Sequence, residues 1–484
     1  MANKKQRRLQ SVKTKIPAKK KPAAKQKQPK LLEQKMLAWS DSPRVATGFG
    51  IVAQYILTAF ASQGVLIDVL GVNDPGGWYP PQLFPYRIYP AMPGAARATD
   101  VYGRNLLQTI TTGKSPYVQG PWNAVWVLAD HFILEQRGNP PFDKGSAWFL
   151  REIVERYKKE LEVDTKLIVY SPVDSPLKEN WVVDGLLPFD IIVSYTQYGR
   201  REITKACPAK YLPELEKKLV VIPHGVDTDL FKPAPKKEIA KFKKQYFQKS
   251  GWLKEEDFLI INVNRNQQRK DLMRTLEVFR RFNQIIPDSK IYLHCKPQDV
   301  AGNILEMARV IGLDIETIRV CGEFNPFDPA PGPFMNLLYN SADVVISTST
   351  GEGWGMSTTE AMSAARPVVI HNVTSTAEIL NTPRQNLSDL SASNNKTVLP
   401  PAKNQRGIGI STSDFCCFGP QDLERFRPLA NVNDFVDALL WVYENEDEAE
   451  AMGNRARKWL IDEQMDWTLI GKRWVDLLED CLLE

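Results

Sequence analysis

The chain has 484 residues, 43% of them apolar, and a formal net charge of +5. That length exceeds one ordinary domain and fits two domains of roughly 200 residues with appendages. A helical membrane span needs roughly 18 apolar residues; the nearest stretch, Gly50 to Val72, is broken by Gln54, Ser62, Gln63 and Asp68, so a soluble protein with no transmembrane segment is expected.

Twelve of the 62 Lys and Arg residues fall in residues 1–30, which contain no acid, leaving a body with a net charge of about −7. The Lys, Gln, Pro and Ala of this tail (residues 1–32 as a domain) cannot build a core, and disorder is expected. A solvated arm, an electrostatic contact to DNA or another anionic surface, and a targeting peptide are all compatible with a basic block. The apolar stretch of a secretory signal is missing. The six cysteines, Cys207, Cys295, Cys321, Cys416, Cys417 and Cys481, show no metal-ligand spacing. Cys416-Cys417 reads as two neighbouring thiols, and a reducing, cytoplasmic location is expected.

Met36 to Trp39 reads as a short buried strand, followed by the turn Ser40 to Pro43 and by Thr47-Gly48-Phe49-Gly50. A helix then follows with Ile51, Ala53, Ile56, Leu57 and Phe60 on its apolar face. A glycine turn between strand and helix suits a phosphate. Gly48-x-Gly50-x-x-Ala53 nevertheless begins about nine residues after the strand, too far for a tight dinucleotide turn. A binding loop and a plain loop both remain open. Further apolar runs at Val65–Val72, Ala124–Leu128, Leu167–Tyr170, Ile191–Ser194 and Leu219–Ile222 alternate with helix-length segments, which predicts a parallel sheet covered on both faces. The aromatic, Pro-rich loop Asn73 to Pro93 is either a wall for an acceptor or a packed loop. Asp130-His131 follows the strand Ala124–Leu128, so both side chains are expected in the cleft, and the His reads either as a catalytic-site group or as structural.

A hinge is expected around Gly225 to Pro235; there Asp227-Thr228-Asp229 is read as turn capping in preference to metal binding. A second series follows at Phe258–Val263, Lys290–His294, Ile318–Cys321, Val344–Ser347 and Pro367–Ile370, giving two similar α/β halves. Asn264 to Lys270, directly after a strand, places cations where such folds bind ligands. Residues 382–406 read as a mobile loop, and the terminal helices carry Trp441, Trp459, Trp467 and Trp474, with a break at Asp466-Trp467-Thr468.

The most informative stretch is Ser347 to Ile370: a strand, a loop with Gly351, Gly353 and Gly355, a helix from about Ser357, and a second strand after Pro367. This unit gathers backbone N–H groups and a helix N-terminus at one point, which attracts phosphate. Glu352 and Glu360 flank it with seven residues between them. A cradle and two carboxylates suit a phosphorylated, hydroxyl-rich ligand such as a nucleotide-sugar.

This stretch resembles the Glu-x7-Glu signature of family 4 retaining glycosyltransferases, which have the GT-B fold. Val221 to Pro233 (VIPHGVDTDLFKP), Asn264 to Leu272 (NRNQQRKDL), Leu337 to Ser347 (LLYNSADVVIS) and Thr47 to Gly50 (TGFG) are similar to further motifs of that family, in its order, across residues 36–484. The resemblance implies two facing Rossmann-like α/β/α domains, an acceptor-side one at 33–230 and a nucleotide-sugar-binding one at 231–462, with helix 463–484 returning to the first. It implies a nucleoside-diphosphate sugar as co-substrate, no other cofactor, no metal, and a saccharide or glycoconjugate acceptor. Arg265 and Lys270 would hold the diphosphate, with Arg269 as a substitute because the Arg-to-Lys interval is about one residue short. The backbone of Met356, Ser357 and Thr358 would help them, and Gly48 and Gly50 would face the donor. Glu352 with Gly353, Trp354 and Gly355 would grip the sugar, and Glu360 the ribose. His131 would stand near the anomeric carbon, with Asp130 able to share that role. Ala365 stands where the family has Gly, and the tail and residues 382–406 lie outside the resemblance. Glycosylation of a hydroxylated nucleic-acid base, a sugar-nucleotide epimerase and a non-catalytic binding protein are the alternatives.

Overall fold

The computed structural model describes residues 31–74, 76–91, 102–115, 118, 120–321 and 330–483. The expected disorder of the basic tail, and its contact with DNA or an anionic surface, fall on residues outside that set. Seven strands form the first sheet: β1 (Lys35–Asp41), β2 (Leu66–Val72), β3 (Arg87–Pro90), β4 (Ala124–Leu128), β5 (Lys166–Ser171), β6 (Ile191–Ser194) and β7 (Leu219–Val221). Their order is β3-β2-β1-β4-β5-β6-β7, and every pairing is parallel. All five residues of β4 are buried, as expected for a strand whose two faces are both covered.

The second sheet repeats the plan with β8 (Phe258–Val263), β9 (Ser289–His294), β10 (Ile318–Val320), β11 (Val344–Ser347), β12 (Val368–His371) and β13 (Ile408–Ile410). The order is β10-β9-β8-β11-β12-β13, again parallel throughout. In each sheet the strand order reverses once, between β1 and β4 and between β8 and β11. Crevices beyond the carboxyl ends at such reversals are where open α/β sheets bind ligands. The two crevices face each other.

An antiparallel hairpin, β14 (Thr412–Cys417) and β15 (Phe426–Ala430), extends the second domain. Residues 382–406 are irregular, yet three buried amides, Gln385, Asn395 and Gln405, are embedded in the segment. Gln385 donates to the Ile410 carbonyl at 3.0 Å, and Asn395 both donates to and accepts from the Thr412 backbone. The chain crosses between domains twice, and the crossings meet where the Val226 amide donates to the Met465 carbonyl at 2.8 Å. Asp227 caps its own turn by accepting from the Leu230 amide at 2.8 Å. The last helix, Trp467–Leu483, lies on the first domain. Trp467 stacks on Tyr55 at 4.8 Å, and the buried Trp474 packs edge-on against Phe60, Trp126 and Tyr170. The six cysteines are free thiols.

Helix Met356–Ser363 ends in a left-handed turn at Ala365, φ 57°. The Ala365 amide donates to the Met362 carbonyl and the Arg366 amide to the Ala361 carbonyl, the bonding of a Schellman cap. Glycine is the usual residue there; alanine forms the same turn with a strained backbone.

Candidate functional site

A cleft of about 970 Å³ separates the sheets, lined from the first domain by Asp41, Gly48, Asp130, Asp174 and His224 and from the second by Arg265, Arg269, Lys270 and the Glu352–Ser357 loop. A smaller cavity of about 480 Å³ adjoins it at the β1/β4 reversal and shares Asp41, Phe49, Asn73, Asp130 and Arg265 with it.

The second-domain wall is built from two loops tied together. After β8 the chain makes a short turn at Gln268–Lys270, and Asp271 then caps helix Leu272–Ile285. The Thr350 amide donates to the Arg269 carbonyl at 2.8 Å, which fixes this turn to the glycine loop after β11. Lys270 forms a short ion pair with Glu352, and Arg269 donates to the Glu352 carboxylate at 3.2 Å and to the Gly351 carbonyl at 2.8 Å. Burial opposes ionisation of Glu352, but Lys270 and Arg269 outweigh it and hold the carboxyl at about 2. Burial pulls the Lys270 ammonium down to about 8 against the attraction of Glu352. Both groups are therefore charged at neutral pH. The Glu352 backbone is clamped as well: its amide donates to Thr374 at 2.9 Å, and its carbonyl accepts from Thr374 and Ser375. A Cβ on Gly351 would lie 2.0 Å from the Asp174 carbonyl oxygen, so only glycine lets this loop reach the first domain.

Gly355, at φ 101°, opens helix Met356–Ser363, and no side chain caps its first turn. Met356 and Ser357 line the cleft, and Thr358 is buried behind them. Uncapped N–H groups lining the same cleft as Lys270 can receive an anion with both charge and directed donors. Trp354 lines the cleft and packs near His224, with ring centroids 6.0 Å apart. Glu360 lies one turn deeper and is not among the lining residues of the cleft; it accepts from the Tyr339 hydroxyl at 2.7 Å. Burial pushes its carboxyl up to about 7, although Tyr339 opposes the shift. Arg265 is more exposed and forks onto Asp299 at 2.9 and 3.3 Å.

On the opposite wall, Thr47 caps helix Gly48–Ser62 by accepting from the Gly50 amide and donates its hydroxyl to Asp41 at 2.6 Å. Gly48 faces open space with only Met356 nearby, whereas a Cβ on Gly50 would strike the Val45 carbonyl at 2.1 Å. Gly50 thus serves packing and Gly48 the cleft. Asp130 lines both cavities, and burial together with the charge of Asp174 pushes its carboxyl up to about 7.

His131 does not join it, which corrects the expectation that both side chains enter the cleft. Helix His131–Glu135 starts at this residue and turns its ring inward against Trp181, 4.9 Å away. Arg425 Nη2 is 3.5 Å from the ring Nε2, and burial with that guanidinium lowers the His131 pKa to about 3. The imidazole is buried and neutral.

Sequence reasoning did not find Asp174, Asp422, Arg425 and Arg427. The fully buried Arg427 forks onto Asp422 at 2.7 and 2.8 Å and donates to the Asp174 carbonyl at 2.8 Å. Arg425 pairs with Asp174 at 3.2 Å and lies over Trp181 and Phe132. Burial disfavours the Asp174 carboxylate, yet Arg427, Arg425 and Arg269 hold it well below the ordinary range. Two arginines two residues apart, Arg425 just before β15 and Arg427 within it, were the available signal.

Residues 258–396 match the family model described as glycosyl transferases group 1. Similar solved structures include a sucrose-phosphate synthase from Thermosynechococcus elongatus, with 14% identity, 93% of this chain and 100% of that chain covered, and a TM-score of 0.62. The N-terminal domain of a trehalose-6-phosphate phosphatase from Candida albicans has 13% identity, 95% and 98% coverage and a TM-score of 0.59. A trehalose-6-phosphate protein from E. coli bound with UDP-2-fluoro glucose has 13% identity, 93% and 99% coverage and a TM-score of 0.55. The fold is GT-B. No curated protein sequence matches the chain. The matched segment runs from β8 into the irregular stretch after β12 and takes in residues 382–396. Among the described residues, no group of three or more His, Cys, Asp or Glu is arranged to hold a metal ion.

Proposed function

We propose that this GT-B protein is a retaining glycosyltransferase of the family 4 type, which moves a sugar from a nucleoside-diphosphate sugar to a hydroxyl of a saccharide or glycoconjugate. The observation that carries this reading is the convergence of Lys270, Arg269 and an uncapped helix N-terminus at Met356 on one wall of the cleft, with Asp130 on the other. The family match over residues 258–396 covers that wall, and a neighbour of the same fold is described with a UDP-sugar analogue.

In this reading the diphosphate sits against Lys270, Arg269 and the Met356–Ser357 amides. Glu352, already facing the two cations, moves to sugar hydroxyls when phosphate supplies their counter-charge, and Glu360 with Tyr339 receives the ribose. The bond from the anomeric carbon to the phosphate oxygen breaks, and the acceptor oxygen bonds the same carbon on the same face. The acceptor proton goes to the departing phosphate. The cations stabilise the charge that grows on the leaving group, so no glycosidase-like pair of carboxylates is required. Arg and Lys neutralise the phosphates without a metal ion, and closure of the domains keeps water from the donor. Six free thiols suit work in a reducing compartment such as the cytoplasm.

The test is transfer from an α-linked nucleotide-sugar with the product anomer read by NMR. An α product is expected, and a β product would refute retention.

A further inference from the structure

The smaller cavity, where the first sheet reverses its strand order, has an unusual charge balance for a site beside a diphosphate. Its polar wall consists mainly of two carboxylates, Asp41 at the end of β1 and Asp130 just after β4. Asp41 is fixed in place, accepting from the Thr47 hydroxyl at 2.6 Å and the Asn73 amide at 3.2 Å. Asp130 has no hydrogen-bond partner for its carboxylate among the described residues, and it lines both cavities. Trp39, Phe49 and Tyr102 are the aromatic residues of its lining, and the Trp39 indole N–H is already engaged with the Tyr102 carbonyl at 2.9 Å.

The one cation lining this cavity, among the described residues, is Arg265, and its guanidinium is forked onto Asp299. Arg425 and Arg427, which line the larger cleft, are paired with Asp174 and Asp422. Among the described residues, an anionic group entering here would meet two carboxylates and no cation without a counter-ion of its own. Vicinal hydroxyls or an amine, by contrast, can donate to carboxylates while a ring face lies on the aromatic side chains.

We propose that this carboxylate-lined cavity is the acceptor subsite, that it takes an uncharged or amino-bearing hydroxylated ring, and that it rejects acceptors whose ring carries a phosphate. The inference rests on the glycosyltransferase reading for the word acceptor, but not for the selectivity. Asp41 and Asp130 are its specificity-determining residues. Like charges brought together without compensation produce large discrimination, on the order of a hundredfold in affinity.

The test is ligand-observed NMR binding to the full-length protein with matched pairs: glucose, fructose and glucosamine, each against its 6-phosphate. The uncharged or amino member is expected to bind roughly a hundredfold more tightly in at least one pair. With binding measured above pH 7, where the Asp130 carboxyl is ionised, Asp41→Asn and, separately, Asp130→Asn should each narrow that gap by about tenfold, since each removes one like charge. Equal or tighter binding of the phosphorylated members overturns the proposal. Absence of binding by every member, or a gap unchanged in both variants, overturns it too. Donor consumption is measured in parallel. A protein that shows the selectivity but consumes no nucleotide-sugar keeps this inference and loses the reading above; one that consumes donor but prefers phosphorylated rings loses this inference alone.

Discussion

Replacing Glu352 by Gln removes one charge from the ion pair at the centre of the cleft while leaving the loop backbone tied to Thr374 and Ser375. Lys270, 9% exposed, then keeps its ammonium without its principal counter-ion. Breaking a fully buried pair costs about 3–5 kcal/mol. Gln can still accept from Lys270 and the pair borders an open cleft, so a loss of about 2 kcal/mol is expected in the ligand-free protein. For a domain of this size that lowers the unfolding midpoint by about 4–8 °C. A nucleoside diphosphate restores negative charge beside Lys270 and Arg269, so it should raise the midpoint more in Glu352→Gln than in the wild type. Thermal unfolding with and without UDP reads both effects. A variant whose midpoint matches the wild type, and whose UDP shift is unchanged, would refute the assignment of Glu352 as the resident counter-ion.

Other predictions concern charge state, strain and anchoring. The folded pKa of Lys270, about 8, lies below its ordinary value, so its charge is lost early as pH rises. Donor KM should climb above that pH, and Lys270→Arg should move the limb to higher pH. The carboxyl of Glu360 is raised to about 7, so the stability it contributes is present at low pH and is lost as pH rises through that value. Glu360→Gln should flatten that part of a stability-versus-pH curve measured by urea unfolding. Ala365→Gly relieves a left-handed alanine in a Schellman cap and should stabilise the protein by about 1 kcal/mol, read as a higher urea midpoint. Trp474→Ala empties the aromatic pocket that holds the terminal helix to the first domain and should cost about 3–5 kcal/mol by the same measurement.

The two sheets were legible because parallel strands covered on both faces read as apolar runs: Ile191–Ser194 and Val344–Ser347 could be bounded from residue types alone. Two of the strands that escaped lack that signal. β3 is a four-residue edge strand ending in Pro90, and β14 carries exposed polar residues along its length. The cation and carboxylate loops were legible from their place after β8 and β11, whereas their pairing was not, since Lys270 and Glu352 lie 82 residues apart. Nor could neighbouring Asp130 and His131 be told apart: the start of a short helix sends one to the cleft and the other to Trp181. The Arg427–Asp174 contact spans 253 residues and depends on how the hairpin meets the first domain, which no local pattern encodes.

In the proposed reaction Lys270 and Glu352 hold a nucleoside-diphosphate sugar in the cleft. Release of nucleoside diphosphate from a panel of nucleotide-sugars, measured for the wild type and for Lys270→Ala and Glu352→Ala, tests it most directly. Turnover of at least one donor by the wild type, reduced by roughly a hundredfold or more in both variants with their circular dichroism unchanged, is the predicted result. Near-wild-type turnover in both folded variants, or no turnover of any donor by the wild type, would contradict it.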